Sequence, residues 1–280
     1  MGWPWWTAGV ALFGGLLLAV LGGLVVDIPA SALGVSVTSE HTPAGIEIAD
    51  TVVQDVGFIC AAVYCARLRG RSAHAWQFGL RRPSTGWLRA SGLIALLLIV
   101  FLVLSVVWSV LVNPGKEKIL EELGSNEATS LLLLSAGLTC VIAPICEEFL
   151  FRGYIFTALR NLRGTLPAAI MTGLVFGAVH AGSAPALDLV PLAALGFGLC
   201  LLYRRTGSLY PCIATHSLNN SIAFASLEGW HFGSGVLLVL AALATIAAVM
   251  GLARLIGLIG TEPPAVAGWA DAAPSVGSGP

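Results

Sequence analysis

The stretch SGLIALLLIVFLVLSVVWSVLV, Ser91–Val112, contains no charged residue. A helix of about 20 mostly apolar residues spans the hydrocarbon core of a bilayer. In lipid every backbone polar group must be satisfied internally, which a helix does. The stretch therefore predicts a transmembrane helix. Working outward, apolar runs fall at 7–27, 46–66, 129–150, 165–182, 187–203, 208–226 and 234–258. With 91–112 they predict an all-α, polytopic bundle of about eight spans. The runs at 187–203 and 208–226 are short and interrupted by Gly or Pro.

Composition points the same way. The chain has 280 residues, 57% hydrophobic and 10% charged, with mean hydropathy +0.88. A soluble domain carries roughly 25% charged residues, so this chain could not cover its own surface in water; the lipid bilayer is the expected partner. With a net charge of −1, nothing points to nucleic acid. The opening MGWPWWT lacks a basic residue, and the apolar run behind it is long for a signal peptide. Position six lacks the Ser or Thr that N-myristoylation needs. Trp3, Trp5 and Trp6 read as an interfacial anchor. The Pro-, Gly- and Ala-rich tail 261–280 reads as disordered. The six cysteines sit in apolar segments without a C-x-x-C spacing and read as small buried hydrophobes.

The basic residues are lopsided. Arg67, Arg69, Arg71, Arg81, Arg82 and Arg89 crowd the link between the second and third spans. Arg152, Arg160 and Arg163 follow the fourth, Arg204 and Arg205 the sixth, and Arg254 ends the eighth. The opposite links hold Lys116 and Lys118 beside Glu117, Glu121 and Glu122. Positive charge stays on the cytoplasmic side, so both termini are expected in the cytoplasm, and a bacterial inner membrane fits.

An ionisable group within a span is costly and marks function by default. Three stretches qualify. In APICEEFLFRGY, Ala143–Tyr154, Glu148 and Arg152 are four residues apart and share a helix face. Glu147 is turned about 100° from Glu148; it can face a cavity while its neighbour is engaged by Arg152, a layout suited to a general base. In FGAVH, Phe176 and His180 share a face, and Gly173 and Gly177 upstream allow a close helix approach. In HSLNN, His216 and Asn220 aim at one point, which suits an oxyanion site or a metal. Each stretch alone could be an interhelical polar contact. Together they make a catalytic inventory. His41, His74 and His231 fall in loops or at span ends. Asp50 and Asp55 are read as lying near a loop end, with lining a vestibule as the other option, and Asp188 at the start of the sixth span.

The order E-E-x-x-x-R (Glu147, Glu148, Arg152), F-x-x-x-H (Phe176, His180) and H-x-x-x-N (His216, Asn220) resembles the CPBP intramembrane proteases. These include the type II CAAX prenyl endopeptidases and the bacteriocin-processing Abi proteins. The resemblance covers about residues 130–225 and implies an intramembrane endopeptidase acting on a peptide or membrane-attached protein. It implies that Glu147 and His180 activate a water, that His216 and Asn220 stabilise the oxyanion, and that Glu148 and Arg152 orient the helix, with Phe176 in support. The catalytic cavity is then expected between spans four, five and seven. The chain divides into N-terminal helices and loops (1–127), a catalytic core (128–226), a last helix (227–260) and the tail (261–280). The family is often described as metalloproteases, yet no H-E-x-x-H is present; Glu147, His180 and His216 are the candidate zinc ligands, and a metal-free glutamate mechanism is the other option. Two other functions compete: a non-catalytic immunity or partner-binding protein, and a proton-coupled transporter. No matched pair of broken helices in two halves favours transport.

One tension remains in this reading. A fourth span ending at residue 150 puts Glu147 near its cytoplasmic end, whereas His180 lies roughly 22 Å along the fifth at 1.5 Å per residue. The two meet if the fourth helix runs past Arg152 toward Arg160, with Pro144 as a kink.

Overall fold

A computed structural model describes residues 3–35, 37, 42–70, 72–112 and 129–259. Lys116, Glu117, Lys118, Glu121, Glu122, Arg71, His41 and the tail lie outside them. The described residues are helical, with one isolated backbone bridge, Ala181 to Ala184. The long helices are α1 (Thr7–Ala32), α2 (Ala44–Arg67), α3 (Trp87–Val112), α4 (Thr129–Arg163), α5 (Thr165–Ala178), α6 (Leu189–Thr206), α7 (Leu209–Leu227) and α8 (Phe232–Leu255). Six are long and apolar enough to cross a bilayer: α1, α2, α3, α4, α6 and α8. Helix α5 is shorter. Helix α7 carries Thr215, His216, Ser217, Asn219, Asn220 and Ser221 on nineteen residues, which dilutes its apolar character.

Three boundaries differ from the sequence reading, each for a physical reason. Helix α4 does not stop at residue 150 but continues unbroken to Arg163, 35 residues in all. Arg152, which reads as a span end, is fully buried and neutralised within the bundle. The continuation puts Glu147 about halfway along the helix, relieving the tension in depth. Two wide π stretches, Leu138–Ile142 and Phe149–Phe156, interrupt its α geometry. Gly164 (φ 80°) then turns the chain into α5. Helix α5 itself ends at Ala178, so His180 lies in the turn beyond it rather than on a helical face with Phe176. Asp50 and Asp55 lie within α2 rather than near a loop end.

Helix α4 is the axis of the bundle. Helix α2 packs against its successive segments between Thr129 and Phe156, and α7 crosses it around the first π stretch. One apolar cluster gathers α4, α6, α7 and α8 around Leu195, Leu199, Phe156 and Ile213. A second joins α1, α2 and α4 through Trp3, Phe58, Phe151 and Tyr154. Helices α5 and α6 meet almost backbone to backbone. A Cβ on Gly173 would lie 2.8 Å from both the Ala193 carbonyl and the Phe197 amide, and one on Gly177 2.5 Å from the Leu189 carbonyl. Small residues at helix contacts allow such approach where lipid supplies no hydrophobic drive. At one end of the bundle, Arg81 Nε donates to Gly207 O (2.7 Å) and Ser84 N to Thr206 O (2.8 Å). The Arg-rich α2–α3 link and the α6–α7 link thus share a side.

Candidate active site

The most buried charges are those of Glu148 and Arg152, both 0% exposed. Arg152 Nη1 lies 2.6 Å from Glu148 Oε1, and its Nη2 donates to Gly196 O at 3.0 Å. Its guanidinium covers the Phe176 ring at 4.4 Å from the centroid. One side chain therefore ties α4 to α5 and α6. Desolvating two charges is expensive, and removing one partner of such a pair costs about 3–5 kcal/mol.

The same carboxylate holds His216. His216 Nδ1 lies 2.9 Å from Glu148 Oε1. A carboxylate only accepts, so Nδ1 carries the hydrogen. The other nitrogen, Nε2, is turned toward Glu147, 4.0 Å from Oε2. Phe176 meets the imidazole edge-on at 5.6 Å. Glu148 thus serves both Arg152 and His216, and the two glutamates flank the ring. The Glu148–His216 contact joins residues 68 apart in sequence, and motif spacing gives no sign of it.

His180 is held from the other side. Its Nδ1 lies 2.7 Å from the Phe176 carbonyl and donates to it, which leaves Nε2 for the cavity. Asn220 Nδ2 donates to Thr139 O at 3.0 Å, and Asn220 Oδ1 accepts from Asn219 at 3.3 Å. An amide NH2 has two hydrogens, so one remains beyond the Thr139 bond. Ser217 Oγ donates to Cys140 O at 2.6 Å.

Glu147, His180, His216 and Asn220 all line one cavity of about 540 Å³. Its walls extend beyond α4, the α5 turn and α7: Asp27 comes from α1, Glu47, Asp50 and Gln54 from α2, and Leu192 from α6. Glu147 Oε2 is buried without a hydrogen-bond partner. Asp55, 1% exposed on α2, leaves both carboxyl oxygens without one. The sequence reading placed it near a loop end, because an aspartate without a motif gives no sign of the helix packing that buries it.

Glu147, His180 and His216, the candidate zinc ligands, line the same cavity, and His216 turns Nε2 toward it. Among the described residues, no three His, Cys, Asp or Glu side chains form a group able to hold a metal ion. His216 Nδ1 is committed to Glu148.

Known proteins are similar to part of this chain. Residues 129–222 match the family described as "Type II CAAX prenyl endopeptidase Rce1-like". A Bacillus subtilis (strain 168) protein named "Putative membrane peptidase YdiL" is 30% identical over 95 residues, 34% of this chain and 36% of that protein. The match thus spans about a third of the relative's length. A Mycoplasma capricolum protein named "Uncharacterized protein" is 26% identical over 78% of this chain and 67% of its own length. The Lactococcus lactis "UPF0177 protein YxdF" is 28% identical over 55% of this chain and 88% of its own. No solved structure matches. The matched residues run from the start of α4 through α7 and carry all three motifs; with six apolar helices, this is an integral membrane protein. Through residues 129–222, the chain is similar to the type II CAAX prenyl endopeptidase Rce1-like family.

Proposed function

We propose that this chain is an intramembrane endopeptidase that hydrolyses a peptide bond of a peptide or membrane-attached protein. The observation that carries the reading is the convergence of Glu147, His180, His216 and Asn220, from three parts of the chain, on one cavity. Family kinship with membrane peptidases adds to it. Glu147 is the general base: its Oε2 takes a proton from a water as the water oxygen attacks the scissile carbonyl carbon. His180 Nε2 accepts the water's other hydrogen and orients it. The carbonyl π electrons move to oxygen, and the oxyanion accepts hydrogen bonds from Asn220 Nδ2 and from His216 Nε2 in its imidazolium form. Collapse breaks the C–N bond as Glu147 returns the proton to the leaving amine. Removing one oxyanion donor typically costs about 10²–10³ in rate.

Glu148 takes no proton in this scheme. It fixes His216 through Nδ1 and is itself fixed by Arg152. The clustering of Arg160 and Arg163, Arg204 and Arg205, and Arg254 at the last turns of α4, α6 and α8 supports cytoplasmic termini, in a bacterial inner membrane.

The test is cleavage of a peptide library by protein purified in detergent, comparing wild type with Glu147→Ala and His180→Ala, with zinc measured on the same samples. The reading expects both variants to lose cleavage while keeping their fold. Variants that cleave as well as wild type would replace it with a partner-binding role, and stoichiometric zinc would replace the metal-free scheme.

A further inference from the structure

The two ends of the bundle differ in what stands between solvent and the catalytic groups. One end is marked by arginines: Arg67 closes α2, Arg160 and Arg163 close α4, and Arg204 and Arg205 close α6. The first turn of α1 belongs to the same end, because Asn161 Nδ2 donates to Trp3 O at 3.2 Å and Tyr154 Oη to Thr7 Oγ1 at 2.7 Å. Among the described residues, a layer of aromatic rings closes this end. Trp3 packs on Tyr154 and Phe78, with ring centroids 4.6 and 4.8 Å apart, and Phe78 stacks on Phe149 at 4.3 Å. Phe151 meets Phe58 at 6.3 Å and Phe176 at 5.1 Å, both edge-on. Trp3, Phe78, Phe151, Tyr154 and Phe176 are buried, and none of the five lines the cavity. Phe58 belongs both to this layer and to the cavity wall. The layer is therefore the cavity floor.

From that floor the cavity runs toward the opposite end. At 1.5 Å per residue, Glu147 lies about 24 Å from the arginine end of α4 and Asp50 about 25 Å from that of α2. Asp27 on α1 and Glu47 on α2 lie about 30 Å from it. All four line the cavity. Asp27, Glu47 and Asp50 are half-buried, whereas Phe58 at the floor is 2% exposed. Ionisable side chains within spans face the bundle interior or water, so these carboxylates mark a wet rim. We propose that water and substrate reach Glu147 from the end of the bundle opposite the arginines. Positive charge stays on the cytoplasmic side, which makes the rim the outer face. The substrate class is then a polypeptide segment exposed outside the cytoplasm. A cytoplasmic segment would have to part the packed rings to reach the same water. The nature of the substrate rests on the endopeptidase reading, and its side on the cytoplasmic arginines, both given above; the route rests on the cavity.

The test is cysteine labelling from one side of the membrane, read against the unsubstituted chain, whose six cysteines set the background. Asp50→Cys stands at the rim and Gln54→Cys one turn deeper in the same wall; Arg89→Cys, exposed in the first turn of α3, marks the arginine end. The probe is a cationic methanethiosulfonate, whose charge keeps it out of the bilayer. In intact spheroplasts Asp50→Cys and Gln54→Cys should label, and Arg89→Cys should label only after the membrane is opened. In nanodiscs, where both faces are open, the same modification should abolish peptide cleavage by Asp50→Cys and Gln54→Cys and leave that by Arg89→Cys unchanged. Rim cysteines that label only after opening, together with Arg89→Cys, would put entry on the cytoplasmic face and overturn the proposal. Rim cysteines that label in neither condition, or that label and still cleave, would overturn it as well. Arg89→Cys labelled in intact spheroplasts would reverse the orientation and overturn the assignment to the outer face. Full cleavage by Glu147→Gln would instead overturn the reading of the site itself, and the labelling pattern would still decide the route.

Discussion

Helices α3 and α4 are both apolar enough to cross a membrane, and they are used in opposite ways. The most apolar window of α3 has mean hydropathy 3.0 and is 6% buried within the protein; that of α4 has 2.0 and is 44% buried. The more hydrophobic helix is the one left to lipid. Leu and Val side chains gain nothing by leaving lipid for protein, so what draws a helix inward is its polar and small residues. Helix α4 carries Glu148 and Arg152, which pair with each other and with His216, Gly196 and Phe176 of neighbouring elements, and Glu147, which lines the cavity. Hydropathy finds the spans; the exceptions to it find the interior.

This contrast can be broken by substitution, and the largest effect belongs to the buried charges. Arg152→Ala leaves Glu148 charged and desolvated, and should cost about 3–5 kcal/mol, read as a lower melting temperature and loss of monodisperse protein. An Arg152→Ala protein as stable as wild type would mean that the pair does not organise α4. Next comes the α5–α6 contact. Gly173→Leu drives a side chain into the Ala193 and Phe197 backbone and should cost about 1–3 kcal/mol or more, whereas Gly92→Leu on α3, where nothing lies within 4 Å, should be tolerated; equal effects in a thermal melt would erase the distinction between the helices.

Asp55 sharpens the comparison with an effect of the opposite sign. Its two oxygens have no hydrogen-bond partner in a buried position, and leaving a polar group so costs about 1–3 kcal/mol. Asp55→Leu should raise the melting temperature, and a clear drop would show a partner in the folded protein. The smallest effect is expected on α3: Val107→Ala at a lipid-facing position, 49% exposed from the protein, should change stability by less than about 0.5 kcal/mol.

These contrasts also explain which features the sequence displays. The helical architecture and the beginnings of most spans are legible, because apolar runs of span length have few alternative uses. The glutamates of α4, His180, His216 and Asn220 stand out because polar groups in apolar runs do. The end of α4 is illegible: Arg152 resembles a cytoplasmic flank, and although its spacing from Glu148 suggests their pairing, nothing local tells that Gly196 and Phe176 will enclose it. The bond from His216 to Glu148 is equally hidden, since it depends on how α7 crosses α4. Where His180 sits misleads for another reason. Its four-residue spacing from Phe176 suggests a shared helical face, but the helix ends at Ala178 and the link becomes an imidazole bond to the Phe176 carbonyl. Asp55 gives no signal until α2 is packed on α4.

In the proposed mechanism, Glu147 is the base that activates water in this cavity. The most direct measurement is the turnover number of Glu147→Gln against wild type, on a peptide substrate cleaved by the purified protein, with the thermal melt recorded in parallel. The amide keeps the shape of the side chain and removes its ability to take a proton. A loss of about 10²–10⁴ in kcat at an unchanged melting temperature is the predicted result. Cleavage at the wild-type rate by a folded Glu147→Gln protein would contradict it.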